Sequence, residues 1–252
     1  VGGCDDDTDG VGGEGAGSVV EKNTVPSAGG VRRLTSSQMR YSVEYMLGAD
    51  AAALFDVWDD AQLSGFESIA AAELALGANE VSTLETVVTQ VVDQALLDPS
   101  HLARFAPCVV QNPNAACYDE VATKFARVAW RRKVDADEQA RLVAIANQGN
   151  AWGPQWGFDA FKTGLKYELM AILQSPNFVY ISELGSQDGT YRRLNQHELA
   201  SRMSFFILHQ TPDVELLDAA DAGALGDDDG VRKQARRLLT LPEARRSIDR
   251  FY

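Results

Sequence analysis

Apolar residues recur along this chain mostly at the three-and-four spacing of helices, and most such runs open on a capping signal. The clearest lies between residues 161 and 217. Phe161, Leu165, Leu169, Ile172 and Leu173 share one face of a predicted helix that Ser175-Pro176 stops, because a residue before proline is pushed out of the helical region. Asn195 with Glu198 three residues later has the form of a capping box, the amide accepting from orphan N–H groups while the carboxylate reaches back. From that start Leu199, Met203, Phe206 and Ile207 fall at i, i+4, i+7 and i+8, with Gln196, Glu198, Ser201 and Arg202 largely off the stripe. Such a stripe needs a partner, and the expected one is the 161–173 helix. Thr211-Pro212 restarts a helix carrying Val214, Leu216 and Leu217, and 231–239 and 242–251 give two more.

Upstream, Thr35 and Gln38 form another capping box, after which Met39, Val43, Met46 and Leu47 give a stripe ending at Gly48. Ser82 or Thr83 is the expected cap of a helix that turns Leu84, Val87, Val88, Val91, Val92 and Ala95 inward. Asp98-Pro99 starts a short turn with His101 just inside it, exposed or capping. A helix over 118–132 buries Val121, Phe125, Val128 and Ala129 and places Lys124, Arg127, Arg131 and Arg132 outward or at its electronegative end. Asp135 with Glu138 opens another, carrying Leu142, Val143 and Ile145 to about Gly149. These runs predict an all-α fold, a multi-helix orthogonal or bundle-like array with at most one short β-hairpin, in which 177–181 pairs with 190–193 around Gly185 to Gly189.

Composition narrows the partners. The 252 residues allow one large or two small domains with a substantial core. A net charge of −13 argues against nucleic acid, since phosphate binding needs a basic face. Residues 1–30 hold −5 of it and are rich in glycine, which predicts a disordered tether rather than packed structure. At its head, Val1-Gly2-Gly3-Cys4 has the form of a lipobox end, making Cys4 the expected lipid-attachment residue and a membrane the expected partner of an exported, envelope-facing protein. Asp5-x-Asp7-x-Asp9-Gly10 matches half a calcium loop, but Ala16 stands where the closing Glu belongs, so it reads as solvated linker. The acidic turn Asp227-Asp228-Asp229-Gly230 reads the same way.

Candidate chemistry is sparse. Cys108 and Cys117 flank a segment without helical period, and in an exported chain the leading expectation is a disulfide across it. There is no C-x-x-C-H haem attachment site, and His197 and His209, twelve apart, fall about 120° apart on a straight helix, so they cannot share one metal. No metal or other cofactor is expected. Trp152, Trp156 and Phe158 stand beside Gly153, Pro154 and Gly157, readable as an exposed aromatic platform for sugar or, in preference, as a rigid buried corner. No nucleophile elbow, Walker loop, H-E-x-x-H or dinucleotide fingerprint occurs.

The stretches AILQSPNFVYISE and LNQHELASRMSFFILHQTPDVELLDAADAGAL resemble secreted planctomycete- and myxobacteria-type proteins built from domains of unknown function 1587, 1595 and 1592. Residues 32–48 resemble the opening module and 125–142 the middle one, in the family's order. Lys133 departs from it, standing where a proline usually follows the paired arginines, and the chain stops at Tyr252 within a predicted helix where relatives continue, as a fragment does. The resemblance divides the chain into a tether (1–31), an N-terminal helical module (32–110), a middle one (111–150) and a C-terminal one (151–252). It implies no activity that can be placed on residues here. The expected role is binding or scaffolding of an envelope protein or polysaccharide within a larger exported protein, the alternative being a domain of an extracellular oxidoreductase or polysaccharide-degrading system associated with c-type cytochromes.

Overall fold

The computed structural model describes residues 30–61, 75–188 and 191–251. Cys4 and the acidic tether lie outside the described residues. The chain enters through β1 (Gly30–Arg33) and then follows α1 (Ser36–Leu47), α2 (Ala49–Ala52), α3 (Ala78–Leu97) and α4 (Cys108–Gln111). A single rod follows, made of α5 (Cys117–Glu120), a π turn (Val121–Phe125) and α6 (Ala126–Trp130). Next come α7 (Ala136–Ala151), α8 (Ala160–Leu173), α9 (Pro176–Val179), β2 (Tyr180–Glu183), β3 (Ser186–Asp188) and β4 (Tyr191–Arg193). The last helices are α10 (Gln196–Ile207), α11 (Val214–Asp221), α12 (Asp228–Leu239) and α13 (Arg245–Phe251). The fold is all-α, as the periodicity predicts.

Three expected helix starts are in place. Thr35 Oγ accepts from Gln38 N at 3.2 Å while Gln38 Oε1 accepts from Thr35 N at 3.1 Å. Asp135 with Glu138, and Asn195 with Glu198, make the same reciprocal pairs. The acidic turn at Asp227 is itself a cap, accepting from Gly230 N at 2.8 Å to open α12. The helix expected to begin near Ser82 begins earlier in sequence, at Ala78, because Glu80 accepts from Gly77 N at 3.1 Å.

A large core joins α1, α3, the α5–α6 rod, α7 and α8, with Phe125, Leu169, Ile172 and Phe178 fully buried. The tightest crossing is α7 on α8, where glycine faces glycine. A Cβ on Gly149 would lie 3.0 Å from Gly164 Cα, and one on Gly164 would lie 2.5 Å from Ala146 O, so both positions need the smallest residue. A smaller cluster under α10, α11 and α12 gathers Met203, Leu208, Leu216 and Leu238.

Three expectations are corrected. First, α10 packs chiefly on α11 and α12 rather than on α8. Its buried face is Ala200, Ser201, Met203, Ser204 and Phe205, leaving Phe206 80% exposed, because the partners approach from both flanks and turn the helix away from the stripe. Second, residues 177–179 are helical, and β2 pairs antiparallel with the distant β1, Val31 opposite Ser182. The local hairpin is β3 with β4, Gln187 opposite Arg192. Third, Arg131 is not outward but 4% exposed.

Candidate functional site

The disulfide expected from the cysteine pair is formed, Cys108 to Cys117 with Cα atoms 5.5 Å apart, tying α4 to the head of the rod.

Among the described residues lies a cleft of about 720 Å3. Val31, Trp130 to Lys133, Tyr180 to Ser182 of β2, Asn195 to Glu198, Ser201, Ala220 and Asp221 line it. Arg131 occupies a left-handed conformation with φ of 61° at the end of α6. Its Nη1 donates to the carbonyls of Ala129 (2.9 Å) and Phe178 (3.2 Å), and its Nη2 to those of Asn177 (2.5 Å) and Tyr180 (2.8 Å). The guanidinium thus pins the rod to α9 and β2 through neutral acceptors alone. Burial, reinforced by the charges of Arg32 and Arg132, pushes Arg131 down to about 9, which leaves it a cation at neutral pH.

Across the cleft, His197 Nε2 is hydrogen-bonded to Asp221 Oδ1 at 2.8 Å. Asp221 also accepts from Arg127 at 2.7 Å and lies 3.5 Å from Lys133. Burial alone would raise the Asp221 carboxyl, but the hydrogen bond and charge of Arg127, with His197 behind them, hold it below the usual range. Glu198 accepts from the backbone N–H of Leu184 (2.9 Å), Gly185 (3.1 Å) and Asn195 (2.9 Å), so one side chain caps α10 and fastens the turn after β2. Ser201, one turn beyond His197, lines the cleft without a hydrogen bond to it. The lining offers donors and acceptors for a polar ligand beside apolar side chains. His209 is elsewhere, with Nε2 3.1 Å from Ser37 Oγ and its ring edge-on to Tyr41.

The aromatic corner divides. Phe158 is buried, whereas Trp152 is 51% and Trp156 58% exposed, so the preferred buried-corner reading fails for both indoles. Gln155 and Phe158 exchange backbone hydrogen bonds of 3.1 and 2.9 Å, which close a tight loop with Gly153 and Gly157 at positive φ and Trp156 itself at 51°. Tyr167 of α8 braces both rings, Trp152 edge-on at 4.9 Å and Trp156 tilted at 6.0 Å. Lys166 Nζ sits 4.5 Å from the Trp156 ring centre and 2.6 Å from Asp93 Oδ1.

One buried group stands apart. Glu168 is fully buried with neither carboxyl oxygen hydrogen-bonded. Burial first, and the charge of Asp119 second, push it well above the usual carboxylate range, which favours its neutral form. Among the described residues no group of three or more His, Cys, Asp or Glu side chains could hold a metal ion, and no helix is long and apolar enough to cross a membrane.

Two family models match this geometry in sequence. Residues 117–183 match PSD5, Protein of unknown function (DUF1595), and residues 194–252 match PSD4, Protein of unknown function (DUF1592). The chain therefore carries a DUF1595 segment followed by a DUF1592 segment. The first runs on to 183, past the boundary at 150 drawn from sequence. No curated protein and no solved structure matches the chain. The cleft lies at the seam of the two segments, since Trp130 to Ser182 of its lining come from the first and Asn195 to Asp221 from the second. Tyr167, Lys166, Arg131 and Asp221 escape a reading by sequence. The only local signal is the off-stripe place of Tyr167 on α8, beside a Trp-Gly turn.

Proposed function

We propose that this chain is the binding region of an exported envelope protein held to the membrane by lipid on Cys4, with residues 32–110 forming a DUF1587-like module ahead of the two matched segments. The observation that carries it is the Cys108–Cys117 disulfide, a bond that persists in oxidising compartments and not in a reduced cytosol. The lipobox-like Val1-Gly2-Gly3-Cys4 and the acidic, glycine-rich stretch behind it supply an anchor and a spacer. Binding is favoured by the seam cleft, whose lining combines paired charges with apolar side chains, and by the exposed indoles of the aromatic corner. A lipid anchor makes the membrane the first partner, and an envelope polysaccharide or protein the second.

The test uses the full-length protein expressed with its native leader in its own type of host. Detergent phase partition should carry it into the detergent phase, and Cys4→Ser should return it to the aqueous phase. An aqueous wild type, or Cys108 and Cys117 fully open to thiol reagents without reductant, ends the proposal.

A further inference from the structure

We infer that Trp152 and Trp156 form a stacking site for a neutral, β-linked polysaccharide. This names the ligand class of the binding role proposed above, and its physical basis is independent of the anchor. Two indoles held more than half exposed forgo a large burial gain. They are not loose: Tyr167 braces both, and the loop between them is closed by the Gln155–Phe158 backbone pair. Trp156 adopts a left-handed backbone conformation, which a large side chain seldom takes unless its surroundings impose it. Rigid, flat and outward is what a ligand with a flat apolar face requires, because little order remains to be created on binding.

The chemistry around the rings selects among flat ligands. A cationic ligand is disfavoured, since Lys166 already sits 4.5 Å from the Trp156 ring and adds positive charge beside it. Lys166 is neutralised by Asp93, so the spot offers no free charge to an anionic polymer either, and the chain as a whole carries −13. A protein partner needs on the order of 800 Å2 of surface with several anchors. Here polar Gln148 stands one helical turn before Trp152, and Gln155 adjoins Trp156. A pyranose with equatorial hydroxyls fits these constraints: its C–H face packs on an indole while its rim of hydroxyls meets Gln148 and Gln155. A β-linked chain presents such faces along a ribbon, so that both rings engage one strand.

The purified, oxidised chain is incubated with microcrystalline cellulose, chitin and an insoluble β-1,3-glucan, and the protein left in solution is measured. Retention on at least one is expected, undiminished in 0.5 M salt. Trp152→Ala and Trp156→Ala should each weaken retention at least tenfold and the double variant abolish it, while Phe206→Ala, at an exposed position on α10, binds as wild type. Thermal melts confirm that the variants are folded. Trp156→Phe, which keeps a ring, should recover part of the binding. No retention on any of the three, or equal retention by the double variant, overturns the inference. Binding with an intact Trp dependence, by a chain whose full-length form proves unanchored, would sink the envelope reading and leave this one standing.

Discussion

The core built from α1, α3, the α5–α6 rod, α7 and α8 is closed almost wholly by apolar side chains, whereas the cluster under α10, α11 and α12 is small and ringed by ion pairs. Arg237 grips Asp213 with two bonds of 2.6 and 2.9 Å, and its Nε lies 3.1 Å from Glu215. The links from this lobe to the rest are largely polar as well. Arg127 reaches Asp218 and Asp221, Arg202 reaches Glu183, Arg246 reaches Glu44, and Thr211 bonds to Ser42 and Val128. Phe205 and Leu217 are its apolar footholds in the large core. Cohesion in the first region therefore depends on area and fit, and in the second on charge geometry, which salt and pH weaken.

The comparison breaks most sharply if the large core tolerates truncation. Phe125→Ala is expected to cost about 3–5 kcal/mol, seen as a lowered denaturation midpoint by circular dichroism, since Phe125 is fully buried in the rod. Opening the Cys108–Cys117 bond with a double Ser substitution should cost roughly 2–3 kcal/mol in the same assay, a loss that fails to appear if α4 is held by packing alone. In the smaller lobe, Arg237→Met should cost about 1 kcal/mol, discounted because the site is partly solvated, and the cost should shrink in 1 M salt. A salt-independent loss would show that the lobe is held as the core is.

Acid and base should separate the unpaired carboxyl inside the large core from the paired carboxylates nearer the surface. Glu138, held to about 2 by the Arg132 hydrogen bond against opposing burial, stabilises the native state above its unfolded pKa, and that contribution fades as pH falls toward 2. Asp221 behaves the same way at the seam. Glu168 has the opposite sign: raised above its unfolded value, it stabilises least when the unfolded chain is ionised, so neutral pH works against the core there. Glu168→Gln should raise the melting temperature by a few degrees at pH 7 and by less at pH 4. An unchanged or lowered melting point at pH 7 would contradict the neutral carboxyl.

What was legible in sequence was local. The boxes at Thr35, Asp135 and Asn195 place helix starts because cap and partner lie three residues apart, and the cysteine pair was visible because its loop is short. What was missed depends on distant chain. Gly30–Arg33 has no strand period, and only β2, some 150 residues on, makes it one. Phe206 fits the stripe as well as Phe205 does until α11 and α12 choose the face. Arg131 looks like an ordinary helix-end cation, and four carbonyls from three elements decide otherwise. Whether a Trp-Gly turn is covered cannot be read from the turn itself, so the indoles of the candidate site were legible as residues and not as surface.

The π turn at Val121–Phe125 bears on how such a chain can change by mutation. It holds one residue more than an α-helical turn, so a one-residue deletion there would leave an unbroken helix. Because the π turn already absorbs that extra residue, the deletion would leave Cys117 on nearly the same side of the rod relative to Trp130. Cys117 would still face Cys108, and Tyr118 would still reach the carbonyl of Phe161 that its hydroxyl meets at 2.9 Å. A codon lost within these five residues would thus spare the covalent bond four or more residues away, while the same loss in the α-helical stretch Ala126–Trp130 would swing Cys117 about 100° around the rod axis and pull it off Cys108.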